Sequence, residues 1–388
     1  MKIMFIHHGN ERGGAAISLL FLVKSLQSLG HQTLIVNTLG SNEVDELYSS
    51  HGIETVSARV RYFPHTTAGS WDVCSARDMY DLAKWLLMLP VACLNLYRAI
   101  RNYNPDIVHL NSVTLFPYLS FLRWLRVPTV LHIRESAVEG RFGLRLGWCQ
   151  RAIKKNANHV ISICEDNARA FGVEGENTSV ILNPVDIEKF NCHLDRNTCR
   201  EELGIPVYAP VALFSGGSNS LIKGVLDFAE AMKQLKTVIP DLVCLFPSGV
   251  SELKRHPEIA EAMLKLGDGL VTCGFTFEIE KWLCAADVVY VLHKTPHFSR
   301  TLLEAATMKR PSIAYQIGGL TDVINSSHGG VLVECNAINS VVDESVRLFE
   351  DKLLRQKYAD NGYRWVLGNC TAAAHAFDVV EVYKKINE

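Results

Sequence analysis

Lys2-Ile3-Met4-Phe5-Ile6-His7-His8-Gly9-Asn10-Glu11-Arg12-Gly13-Gly14-Ala15-Ala16 decides the fold. An apolar run of strand length meets a glycine-rich loop, and the loop meets a segment, Ala15–Leu29, whose apolar residues recur at helical spacing. Gly30 stops that helix, since a glycine takes the left-handed conformation that closes a helix without steric cost. Strand, glycine loop and helix in that order read as the first half of a βαβ unit. The rest of the first half repeats the alternation, with strands predicted at Thr33–Val36, Asp106–Leu110, Thr129–Ile133, His159–Ile163 and Ser179–Leu182. These runs are apolar almost throughout rather than alternating, as expected for parallel sheets covered on both faces. The second half does the same at Val211–Ser215, Leu242–Phe246, Leu270–Cys273, Val288–Leu292, Ser312–Tyr315 and Gly330–Val333.

With 388 residues the chain exceeds the ~250–300 at which a single core stops growing, so two α/β domains are expected. The boundary is placed near residue 190, within a hinge candidate from Asn183 to Pro206 that holds two prolines and little regular period. This gives an N-terminal domain of residues 1–190, a C-terminal domain of 191–371, and a last helix at 372–388 that could pack back on the first. At 48% hydrophobic and 21% charged residues, the composition is that of a globular protein. The net charge of −2 offers no global attraction to nucleic acid, so any anion site is local. Eleven scattered cysteines with no C-x-x-C pair read as thiols in a reducing, cytoplasmic compartment. The longest apolar stretch, Trp85–Leu94, contains Pro90 and is shorter than the ~20 residues of a membrane span. It reads as a kinked core helix, or as a helix lying in a membrane interface.

Chemistry concentrates in three segments. The first loop, ending in Gly13-Gly14, lets a ligand approach backbone amides at a helix start, but its spacing is not the G-x-G-x-x-G of dinucleotide sites. A second loop, Ser215-Gly216-Gly217-Ser218-Asn219-Ser220-Leu221-Ile222-Lys223-Gly224, again joins strand to helix. Lys223 could meet a diphosphate there, although Gly224 in place of Ser or Thr excludes a Walker A loop. The third is Pro296-His297-Phe298-Ser299-Arg300-Thr301-Leu302-Leu303-Glu304-Ala305-Ala306, followed by Gly318-Gly319. A carboxylate such as Glu304 can accept two hydrogen bonds from a ribose diol, and a glycine pair can present amides to phosphate.

Taken together these segments resemble the family-4 retaining glycosyltransferases of GT-B fold. The resemblance rests on Gly13-Gly14, Pro105-Asp106-Ile107-Val108-His109, Asn183-Pro184-Val185-Asp186 with Phe190, Lys223-Gly224, Asp287, Leu303-Glu304-Ala305 and Gly318-Gly319, in that order. It implies two Rossmann-like domains with parallel sheets facing across a cleft. It further implies a nucleoside-diphosphate sugar as donor, held mainly by the second domain, and a glycan or lipid-linked acceptor approached from the first. Transfer proceeds with retention and without metal or cofactor. Lys223 inherits contact with the diphosphate and Glu304 contact with the ribose. The donor-binding set is Gly13, Gly14, Gly217, Ser218, Lys223, Phe298, Ser299, Arg300, Leu302, Leu303, Glu304, Gly318 and Gly319, and the catalytic set is Lys223, Glu304, Arg300 and His297.

The chain departs from the family pattern at two positions. Pro296 stands where the family has a sugar-contacting glutamate eight residues before Glu304, leaving His297 as the nearest polar substitute or as a plain surface histidine. Ser218 stands where the family often has arginine, and Arg300 could supply the lost cation. On the acceptor side, His109, Asn111, Arg134 and Glu135 follow consecutive strands whose carboxyl ends line the ligand crevice, with His109 reading also as a satisfied core histidine. Arg141, Arg145, Arg151, Lys154 and Lys155, interleaved with Phe142, Leu144, Leu146 and Trp148, read either as a solvated helix face or as a contact with anionic lipid. A nucleotide-sugar-binding module without transfer and a sugar-nucleotide epimerase share the architecture, and product analysis separates them from a transferase.

Overall fold

The computed structural model describes all residues except 10–11, 39–41, 67–68, 215–219, 275 and 388. The chain divides into two compact units, Met1–Pro184 with Ala372–Glu388, and Val185–Thr371.

In the first unit the described strands are β1 (Lys2–His7), β2 (Gln32–Asn37), β3 (Thr55–Ser57), a small antiparallel pair β4 (His65–Thr66) and β5 (Gly69–Ser70), then β6 (Ile107–Leu110), β7 (Thr129–Ile133), β8 (His159–Ser162) and β9 (Thr178–Val180). Among the described residues, seven of them form a sheet in the order β3-β2-β1-β6-β7-β8-β9, every pairing parallel. Side chains alternate across it. Ile3 and Phe5 join a core with the helices Gly14–Ser28 and Ala372–Asn387, while Met4 and Ile6 join one with Trp85, Leu96 and Phe116 on the opposite face. Burial on both faces is why β1 reads as uninterrupted apolar sequence. The helix Gly14–Ser28 ends as Gly30 predicts. Gly30 has φ +82°, its amide donates to Gln27 O and that of His31 to Leu26 O, which together close a Schellman motif.

The second unit carries β10 (Val211–Phe214), β11 (Val243–Phe246), β12 (Leu270–Thr272), β13 (Val288–Val291), β14 (Ser312–Tyr315) and β15 (Gly330–Val333). Their order among the described residues is β12-β11-β10-β13-β14-β15, also parallel throughout. Its core gathers Phe214, Phe228, Phe246, Tyr290 and Tyr315.

Five of the elements differ from the expectations. β3, β4 and β5 are too short and polar to show a strand pattern. The hinge candidate contains a helix, Arg196–Glu202, capped by Asp195, whose carboxylate accepts from the Thr198 amide at 2.7 Å. That helix lacks an apolar period because the side chain it buries most completely is Arg200. The stretch around Pro90 belongs to a helix of 28 residues, Ala76–Tyr103, long and apolar enough by length and composition to cross a membrane. Only one side of it fits a core helix: Trp85, Ala92, Leu96 and Ile100 are buried, while Leu87, Val91 and Leu94 on the other side are exposed.

The first unit encloses a row of neutral histidines. His109 Nδ1 lies 2.6 Å from the Tyr383 hydroxyl and its Nε2 3.2 Å from His132 Nδ1. His132 stacks on His375, and His375 Nδ1 donates to Leu182 O at 2.7 Å, tying the C-terminal helix to the sheet. Burial, reinforced by the Arg134 charge, holds His109 and His132 well below the usual histidine range, and His375 down to about 3. A folded-state pKa below the unfolded value means that the unfolded chain binds more protons as pH drops below about 6.5. Stability is therefore complete above that pH and falls beneath it, by about 1.4 kcal/mol per group per pH unit. Calorimetric scans at pH 7.5, 6.5 and 5.5 are expected to show the first unit's transition moving steadily down. A transition that keeps its temperature across that series contradicts the neutral row.

Candidate active site

In an open parallel sheet a ligand crevice forms where the strand order reverses direction, outside the carboxyl ends of the strands flanking the reversal. In the second unit that point lies between β10 and β13. Lys223 sits on the turn after β10, and the segment leading to Glu304 leaves β13. The Lys294 amide donates to Ile222 O at 2.9 Å, pinning the two connections together. Gly224 makes this approach possible. It has φ +82°, and a Cβ there would lie 2.1 Å from Leu292 O, so no other residue fits beside the end of β13.

Arg300 and Glu304 lie one turn apart on the helix Arg300–Thr307, with Nε 3.6 Å from Oε1. Both side chains are mostly buried, at 18% and 14% exposure. Burial raises the pKa of Glu304, and the charges of Arg300, Lys189 and Lys223 oppose that rise. Burial likewise lowers the pKa of Lys223, against the pull of Glu252 and Glu304. Lys223 and Glu304 are thus near enough to shift one another's ionisation. Glu252, itself buried, accepts from the Ser220 amide at 3.1 Å and fixes the near end of the Lys223 turn.

His297 stacks on His293, ring centroids 4.5 Å apart and planes 19° from parallel. His293 is buried, and that burial, with His297 and Lys223 beside it, holds its pKa down to about 2. The pair therefore presents neutral imidazoles next to the lysine. Phe298 and Ser299 are buried immediately before the helix, and Leu302 and Leu303 turn their side chains inward, so what these leucines can offer a ligand is backbone alone. Gly318, with φ +52°, and the buried Gly319 begin the helix Gly318–Ser327 after β14, the strand next to β13. Its N-terminus carries the unpaired amides that suit an anion. Gly217 and Ser218 lie outside the described residues.

The first unit has its own reversal, between β1 and β6. A hollow of about 680 Å³ opens there, lined among others by His7, His8, Gly13, Gly14, Tyr62 and Thr114. Asn111 is buried, approaching Nδ1 of the lining residue His7 through Nδ2 at 3.1 Å and accepting from Arg134 Nε at 2.7 Å. Arg134 also donates to Asn183 Oδ1 at 2.6 Å. Glu135 accepts from the Ser112 hydroxyl at 2.6 Å and the Val113 amide at 3.0 Å, and lies 3.7 Å from His8 Nε2. Of the two readings of His109 the structure fits the core histidine rather than the acceptor ligand: it is fully buried with both ring nitrogens engaged, and serves the packing of the C-terminal helix. His7, His8, Glu252, His293 and Lys189 were not singled out from sequence. His7-His8 at the end of a strand was the one visible signal among them. The others reach the sites only through the fold.

Residues 13–184 match the family described as glycosyl transferase 4-like domain, and residues 209–351 match glycosyl transferases group 1. The chain belongs to the family-4 glycosyltransferases, of GT-B fold. Similar curated proteins include a D-inositol 3-phosphate glycosyltransferase of a Nocardioides species, 26% identical over 49% of this chain. That alignment spans 44% of the relative's length, less than half of it. A UDP-Gal:alpha-D-GlcNAc-diphosphoundecaprenol alpha-1,3-galactosyltransferase of Escherichia coli is 26% identical over 67% of this chain and 70% of its own. Among solved structures, Anabaena HepE in complex with UDP aligns over 99% of this chain and 100% of its own, with a TM-score of 0.80 at 19% identity, a likeness of fold.

Proposed function

We propose that the protein transfers a sugar from a uridine-diphosphate sugar to a hydroxyl of a glycan or lipid-linked acceptor, with retention at the anomeric carbon. The observation that carries this reading is that the Lys223 turn after β10 is pinned to the end of β13, from which the segment bearing the Arg300–Glu304 pair leaves, at the strand-order reversal of the second unit. Glu304 takes the ribose hydroxyls, Lys223 and Arg300 take the diphosphate, and the N-terminus of Gly318–Ser327 adds amide donors. The choice of uridine follows the UDP named for HepE and the UDP-Gal named for the Escherichia coli relative. His297, backed by His293, takes the place of the family glutamate that Pro296 removes, offering a neutral donor or acceptor to a sugar hydroxyl. The acceptor hydroxyl is held in the first unit near His8, Arg134 and Glu135, and the departing phosphate takes its proton. The compartment proposed is the cytoplasm, where the eleven thiols stay reduced.

Thermal-shift titration tests the reading, because a ligand that binds only the folded state raises its stability by mass action. UDP is expected to stabilise the chain, and Glu304→Ala to remove most of the shift. Arg300→Ala is expected to weaken UDP by about tenfold or more while leaving uridine unchanged, since a guanidinium on phosphate oxygens acts only when the phosphates are present. Equal losses for UDP and uridine would take Arg300 off the diphosphate. No shift with any nucleoside diphosphate would remove the reading itself.

A further inference from the structure

The helix Ala76–Tyr103 is apolar on two sides, and one of them has no partner among the described residues. Its inner side packs Trp85, Leu96 and Ile100 into the core of the first unit. On the outer side Tyr80, Ala83, Leu87, Val91 and Leu94 fall on one exposed stripe at helical spacing, with Leu87 78% exposed. The charges sort with that stripe. Arg98 and Arg101 continue it and are exposed, and Arg77 and Lys84 flank it, also exposed. The helix's acids, Asp78 and Asp81, are half-buried and lie away from it, Asp78 accepting from the Asp72 amide at 2.8 Å.

A second apolar element adjoins the first. A groove of about 230 Å³ joins Met79 and Leu82 of this helix to Phe142, Leu144 and Trp148, with Arg141 and Arg145 in its wall. Phe142 is 82% exposed and holds φ +57° between Gly140 and Gly143, which also have positive φ. An aromatic ring in a left-handed conformation at a surface tip costs backbone energy, and such strain concentrates at sites that bind.

We propose that this face of the first unit docks on an anionic lipid bilayer, the stripe and Phe142 entering the headgroup boundary while the arginines and lysines meet lipid charge. An apolar surface bordered by bases that outnumber the exposed acid of the groove, Asp72, suits that boundary, whereas a protein partner would need acids opposite the bases. The inference stands apart from the reaction proposed above.

Co-sedimentation of the full chain with phosphatidylcholine vesicles, with and without phosphatidylglycerol, tests it. Wild type is expected to pellet with the anionic vesicles and to be released by salt. Leu87→Glu combined with Leu94→Glu is expected to lower partitioning by about tenfold or more. Phe142→Gly, which relieves the strained φ and so keeps the fold, is expected to lower it as well. UDP-induced thermal shifts in these variants are expected to match wild type, which separates docking from nucleotide binding. Wild type that stays in the supernatant, or variants that partition like it, overturn the proposal. So does a dimer in light scattering that the same substitutions dissociate, because the face would then cover a second copy of the chain.

Discussion

Lys223→Met is expected to slow release of UDP from a UDP-sugar substrate about 100- to 1,000-fold while the chain stays folded. The reason is where the ammonium sits. Negative charge gathers on the diphosphate as the sugar–phosphate bond breaks, and a preoriented cation in a partly desolvated site is worth far more there than in water. Lys223 meets that description: it is half-buried, its turn is fixed by the Ser220–Glu252 and Lys294–Ile222 hydrogen bonds, and Glu252 and Glu304 oppose the loss of its proton. Methionine keeps the length and removes the charge, so the loss should fall on kcat as well as on UDP affinity. Initial-rate assays of UDP release decide the matter. Turnover within about threefold of wild type would mean that another cation answers the leaving group.

Asp287→Ala is expected to cost the second unit about 3–5 kcal/mol, the usual consequence of leaving a buried charge without its partner. Asp287 stands at the head of β13 and accepts from Arg200 at 3.0 Å, from the Val211 amide at 2.9 Å and from Arg196. Arg200 is 1% exposed and spends its remaining donors on the carbonyls of Ala285, Val207 and Ala209. The substitution would strand a guanidinium in the interior and free a β10 amide in one step. For a unit of this size the thermal midpoint should drop by about 10 °C or more, with Asp287→Asn falling between. The same variant should lose UDP affinity, because β13 carries the His293–Glu304 segment into place. A midpoint within about two degrees of wild type would show that the Arg200 charge finds water, against its burial.

Sequence alone determined the elements that bury apolar surface on both faces. β1 and the strands of the second unit announce themselves as near-continuous apolar runs because helices cover each side of the sheet, and Gly30 marks its helix end because few other residues take φ +82° there. Lys223, Arg300 and Glu304 could be named as candidates because their segments, in a fixed order, resemble a family pattern, and their roles are the proposal made above. The tertiary structure alone decided how polar residues without a period are used. Arg196–Glu202 reads as loop until Arg200 is seen filling the space beneath Asp287. His109 reads both as an acceptor ligand and as a core histidine until the C-terminal helix brings Tyr383 to it across 274 residues. His293 gains its place only when the end of β13 stacks it on His297. Hydrophobic periodicity is a local property that a chain carries in its order of residues, whereas the partner of a buried polar group is set by which strands lie side by side, and that order was fixed only when the sheets formed.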